Sequence, residues 1–159
     1  MNLDFLSIND QQLTTLNTLY DFLIQSQFKC VRSKTKDIIY TFTKASHKKN
    51  IIKLTQDKQG NIHLWIRFSS SNNYSSYFNQ MLIKTLEEDD YKYVGCYEYC
   101  HECDIKKGYT VITPKETYFR CHKELIHIGR IDEVPLLEAI DLIYQQDLYE
   151  TQSYEENKK

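Results

Sequence analysis

Glycine and proline are scarce in this sequence. Four glycines and two prolines in 159 residues are too few for a linker, a collagen-like repeat or a Pro/Gly-rich disordered segment. No apolar run approaches the roughly 20 residues that cross a bilayer. The opening "MNLDFLSIND" has neither a basic region nor a long apolar stretch, so no membrane span and no signal peptide are expected. A phosphate-binding glycine loop, a G-x-S-x-G elbow and an H-E-x-x-H helix are all missing. The acidic run Glu87, Glu88, Asp89, Asp90 reads as a solvated helix end rather than a catalytic pair. Catalysis is therefore disfavoured. The five cysteines are an odd number, which argues against a complete disulfide framework. A cytoplasmic address with reduced thiols is expected.

What is present is an ordinary core, with 41% hydrophobic residues and an unusual wealth of rings in thirteen tyrosines and seven phenylalanines. The length fits one domain burying about two-thirds of its unfolded surface. Leu13, Leu16, Leu19, Tyr20, Leu23 and Ile24 recur at helical spacing behind a cap at Ser7 or Asn9. The period then changes to that of strands in "FKCVRS", "DIIYTFTK", "NIIKLTQ" and "NIHLWIRF", with a hairpin turn at "DKQG". In the fourth strand Ile62, Leu64, Ile66 and Phe68 share one face, and His63, Trp65 and Arg67 the other.

A second helix follows through Tyr74, Tyr77, Phe78, Met81, Leu82 and Leu86. Two strands, "GYTVIT" and "ETYFRCH", then precede an extended "LIHIGRI" and a closing helix through Leu136, Leu137, Ile140, Ile143 and Tyr144. His127, between Ile126 and Ile128, reads as a structural strand histidine. The expected fold is α+β, an antiparallel sheet of about four to seven strands packed against three helices. It occupies one domain over residues 1–150, with a disordered acidic tail over 151–159.

Charge is uneven. Residues 29–58 carry nine bases against Asp37 and Asp57, a local +7, although the whole chain is only −2. Lysines there either blunt sheet edges or meet an anionic partner. Lys44, Lys48, Lys49, Trp65 and Arg67 are the candidate partner-binding residues. The loop "KASHKKN" would contact phosphates, and Trp65, Tyr40 or Tyr74 would offer stacking surfaces.

The segment "CYEYCHECDIKKGYTVITPKETYFRCH" gathers Cys96, Cys100, Cys103 and Cys121 in the spacing C-x₃-C-x₂-C-x₁₇-C. Cys100 and Cys103 have the two-residue gap by which one tight turn presents two sulfurs to the same ion. The four together make a candidate structural zinc site. His101 is a better substitute ligand than His122, because neighbours on a strand point to opposite faces. Buried unmetalled thiols and a redox-active Cys100–Cys103 pair are the alternatives. Cys30, in the first strand, is expected to be half-buried packing outside the cluster.

The cysteine run, the hairpin ending in Cys-His, the apolar strand and the closing amphipathic helix resemble an uncharacterised cysteine-cluster α+β family of low-GC bacteria and their mobile elements. The resemblance covers roughly residues 96–145. It implies that Cys96, Cys100, Cys103 and Cys121 belong together in a compact α+β domain, and it brings no activity with it. Function is thus expected to be that of a small binding or interaction module stapled by structural zinc, with a protein or small ligand as partner. A nucleic-acid binder using the basic strands, or a thiol- or metal-responsive regulator, is the alternative.

Overall fold

The computed structural model describes residues 3–87, 109–120 and 124–156. The chain runs α1 (Asp10–Gln25), β1 (Lys29–Arg32), β2 (Ile39–Thr43), β3 (Asn50–Gln56), β4 (Ile62–Ile66), α2 (Ser76–Glu87), β5 (Tyr109–Ile112), β6 (Thr117–Arg120), β7 (Ile126–Arg130) and α3 (Leu136–Glu156). The expected α+β architecture is present. The seven strands among the described residues divide into a five-stranded antiparallel sheet, β1-β2-β3-β4-β7, and a separate β5-β6 ribbon.

The elements begin where local chemistry dictates. Asn9 accepts a hydrogen bond from the Gln12 amide, and Gln12 reaches back to the Asn9 amide, closing a capping box on α1. In the β3–β4 turn Gly60 takes a φ of +87° that a Cβ would disfavour. The tail expected from residue 151 is instead helical through Glu156, continuing α3. Part of the reason is that α3 stays engaged late in its course, where Glu150 is buried.

One sheet face carries the core. Tyr40 and Phe42, Ile52 and Leu54, Leu64 and Ile66, and then Ile126 face one another across four strands. They join Leu16, Leu19 and Leu23 of α1, Phe78, Leu82 and Leu86 of α2, and Ala139, Leu142 and Ile143 of α3 in one buried cluster. Truncating any of the fully buried leucines to alanine removes about 2–5 kcal/mol by lost burial and a residual cavity.

The two sheet edges are managed differently. β1 is the outer strand and displays Lys29 and Arg32 to solvent, as edge protection predicts. β7 is covered by α2, whose Tyr77 hydroxyl donates to the Ile128 carbonyl at 2.8 Å and whose Thr85 hydroxyl donates to the His127 carbonyl at 3.4 Å.

The β4–β7 register contains a bulge. Leu64 pairs with Gly129 and Trp65 with His127, so Ile128 is an extra residue on β7. Strict alternation would put 127 and 129 on one face and 130 on the other. The bulge instead brings His127 and Arg130 both to the face of Trp65 and His63. It is what assembles the site.

Candidate functional site

Opposite the core, the sheet presents a connected row of polar and aromatic side chains. It starts at Asp57 in the β3–β4 turn. The Asp57 carboxylate accepts from the backbone amides of Gln59 (2.9 Å) and Asn61 (2.8 Å), from the Asn61 side-chain amide (2.9 Å) and from His63 Nε2 (3.0 Å). Those donors, the Asn61 side chain first and His63 next, hold the Asp57 carboxyl well below the usual carboxylate range. His63 Nδ1 in turn lies 3.0 Å from His127 Nε2.

An ionised carboxylate can only accept, so His63 carries its proton on Nε2 and, when neutral, offers Nδ1 as an acceptor. His127 then donates from Nε2. Burial, followed by the charges of His63, Lys84 and Lys53, pushes His127 down to about 4 from an ordinary 6.5. The proton order that Asp57 imposes on neutral rings is therefore His127 donating to His63 and His63 donating to Asp57.

The His127 ring lies against Trp65, with centroids 4.6 Å apart and planes tilted by 34°. Lys53 Nζ sits 3.8 Å from the Trp65 ring centre, within cation–π range, and burial lowers the Lys53 pKa. The indole N–H is used too, donating to Thr55 Oγ1 at 3.2 Å. Trp65 is thus flanked by its cross-strand neighbours Lys53 and His127. Between this row and α2 lies a cavity of about 300 Å³, lined by His63, His127, Tyr77, Met81, Lys84 and Arg130 among others. Arg130 is anchored there by Asp132, to which its Nη2 donates at 2.6 Å.

The residues expected at one partner surface do not gather. Arg67 lies just past β4, where strand alternation no longer governs it, and is buried in an ion pair with Glu150 of α3 at 3.0 Å. Lys44 is paired with Asp147 of α3 at 2.7 Å. Asp147 also accepts from His47 Nε2 at 3.1 Å, and His47 Nδ1 accepts from the Lys49 amide at 3.0 Å. Burial pushes the His47 pKa down, against the pull of Asp147. Lys44 and Arg67 therefore tie α3 to the sheet. Lys48 alone of the loop lysines is exposed, in a left-handed conformation at φ +56°.

The expected stacking surfaces fare similarly. Tyr40 is buried, with its hydroxyl accepting from the Asp4 amide at 2.7 Å, and Tyr74 packs edge-on against Phe68. Trp65 is flanked as described.

Cys96, Cys100, Cys103 and Cys121, with His101 and His122, lie outside the described residues. Cys30 is half-buried opposite Phe42, and burial raises its thiol pKa. No helix among the described residues is long and apolar enough to cross a membrane.

The site makes a prediction about acid. A histidine whose folded pKa lies below its unfolded value contributes stability above the unfolded pKa, and that contribution is lost as pH falls toward the folded pKa. For His127 this window runs from about 6.5 down to about 4. Urea unfolding at pH 7 and pH 5 should show wild type losing more stability on acidification than His127→Gln. Equal losses in the two proteins would place His127 in a more solvated setting.

Sequence reasoning read His127 as structural and counted Asp57 only as a charge in the basic stretch. Strand parity was the available signal, since a histidine between two core isoleucines must face away from them. Searches with the chain find no matching family model, no matching curated protein and no matching solved structure.

Proposed function

We propose that this chain is a small cytoplasmic binding module, and that its ligand site is the cavity between α2 and the β4–β7 edge. One observation carries this reading: an ordered Asp57–His63–His127 chain ends at a concave, half-open surface beside Trp65. Binding sites are typically concave and largely apolar, with a few fixed polar groups that set orientation. Here Met81 and Tyr77 supply the apolar wall, and His127, Lys84 and Arg130 the polar groups. A small molecule or a peptide side chain of that size is the favoured ligand.

A fragment screen read by ring and amide NMR shifts tests this. Hits should cluster on His127, Met81 and Lys84 and weaken in Met81→Glu. Hits scattered over other surfaces, with none in the cavity, would dismiss it.

In the same reading, Cys96, Cys100, Cys103 and Cys121 hold one structural zinc ion, supported by their spacing in the sequence. Protein purified without added metal should carry close to one zinc, and chelation should lower its stability because metal binding is linked to folding. Less than about 0.2 zinc per chain, against the near-full occupancy of such tight sites, would refute it.

Nucleic-acid binding is the second reading, favoured by the exposed Lys29 and Arg32 of β1 and by Lys48. The commitment of Lys44 and Arg67 to α3 and the flanking of Trp65 weigh against it. Lys48→Glu with Lys49→Glu is expected to change neither folding nor any interaction. Micromolar DNA or RNA binding that the double reversal abolishes, with log K falling by about 0.7–0.9 per phosphate contact per decade of salt, would reverse the ranking.

A further inference from the structure

The Asp57–His63–His127 chain has a second chemical use. We infer that His63 and His127 form a two-imidazole site for a divalent d-block cation, with Ni²⁺ and Cu²⁺ favoured over Zn²⁺.

The argument begins with a distance. His63 Nδ1 and His127 Nε2 are 3.0 Å apart and share one proton. Two imidazole nitrogens that each sit at 2.0–2.1 Å from one ion, 3.0 Å from each other, subtend an angle of about 95° at it. That is the cis angle of square-planar and octahedral sites, which suit Cu²⁺ and Ni²⁺. Tetrahedral zinc would need the nitrogens about 3.3–3.4 Å apart. An ion can thus replace the shared proton once each ring turns by about 40° to aim its lone pair at the ion.

The surroundings are those of a prepared ligand pair. The Asp57 carboxylate holds the far nitrogen of His63 at 3.0 Å, the carboxylate–histidine arrangement that fixes a ligand's tautomer and raises its basicity. Asp57 is itself fixed by three further donors from Gln59 and Asn61. Contact with Trp65 orients the His127 ring. Asp57 is on His63's outer side and is not a ligand, and among the described residues no group of three ligating side chains converges. The remaining coordination positions therefore go to water or to a molecule entering from the cavity that both rings line.

Proton balance follows. In its neutral form His63 exposes a lone pair on Nδ1. His127 must move its proton from Nε2 to Nδ1, so binding switches a tautomer without net proton release.

The probe is Ni²⁺ alone, added to the full ¹⁵N-labelled chain, so the result does not depend on whether the cavity binds a small molecule. The readout is ring-specific because the cysteines offer Ni²⁺ competing thiolates. The His63 and His127 ring signals should broaden first among the five histidines. His63→Ala or His127→Ala should weaken this site at least about tenfold and Asp57→Asn about 10–100-fold, the usual effect of losing such a partner. Zn²⁺ should bind the two rings more weakly than Ni²⁺. Rings untouched at a tenfold excess of Ni²⁺, or broadening of His127 that persists unchanged in His63→Ala, would overturn the site. Tighter binding of Zn²⁺ at these rings would overturn the geometric preference.

Discussion

Glu150→Ala is expected to destabilise the protein by about 3–5 kcal/mol, the usual consequence of stripping one partner from a buried ion pair. Glu150 Oε1 accepts from Arg67 Nη1 at 3.0 Å and from Gln146 Nε2 at 3.1 Å, and the Arg67 and Glu150 side chains are only 6% and 5% exposed. Removing the carboxylate deprives a buried guanidinium of the Glu150 charge in a low-dielectric setting. Gln146 loses a partner as well, while still accepting from the Ser70 amide at 3.0 Å. The loss should therefore spread into the segment after β4.

The compensating experiment is Arg67→Met with Glu150→Leu. Buried pairs exchanged for apolar residues of similar volume are often neutral or stabilising, so the double variant should be more stable than Glu150→Ala alone. Denaturant midpoints at unchanged m-value would measure both. A Glu150→Ala cost below about 1 kcal/mol, the level of an exposed pair, would mean that water reaches Arg67.

The α3 network also marks where the sequence was legible and where it was not. Helices and strands followed from periodicity, because each element's burial is written in its own spacing of Leu, Ile and Phe. Asn9 at the cap and Gly60 in the turn were readable for the same local reason. Arg67, Lys44 and His47 were not. Their partners Glu150 and Asp147 lie 83, 103 and 100 residues away, and nothing local in "KASHKKN" or "WIRF" states which helix will cover them.

The site behaved likewise. Asp57 and His63 are six residues apart in one hairpin and could be paired from the turn alone. His127 joins them only through the β4–β7 register, which depends on a bulge at Ile128. A one-residue change in register moves side chains between faces, so no reading of "LIHIGRI" in isolation places His127 beside His63.

That dependence makes Gly129 the position where backbone and site meet. Gly129→Ala is expected to cost about 2–4 kcal/mol. Its φ of +112° lies where side chains bring strain of order 1–3 kcal/mol. A Cβ would also stand 2.8 Å from the Tyr77 hydroxyl, well inside contact distance. Tyr77 cannot yield freely, because that hydroxyl donates to the Ile128 carbonyl at 2.8 Å and so pins α2 to the edge strand. Displacing it forfeits roughly another 0.5–1.5 kcal/mol of hydrogen bonding. The two contributions separate in a double-mutant cycle. Tyr77→Phe should cost about 1 kcal/mol in the wild-type background and close to nothing once Gly129→Ala has already displaced the hydroxyl. Tyr77 and His127 line the same cavity, so the His127 ring signals should shift in Gly129→Ala and return toward their wild-type positions in the double variant. Additive costs, or an alanine accommodated for less than about 0.5 kcal/mol, a surface-like effect, would show that the bulge holds its shape without the glycine.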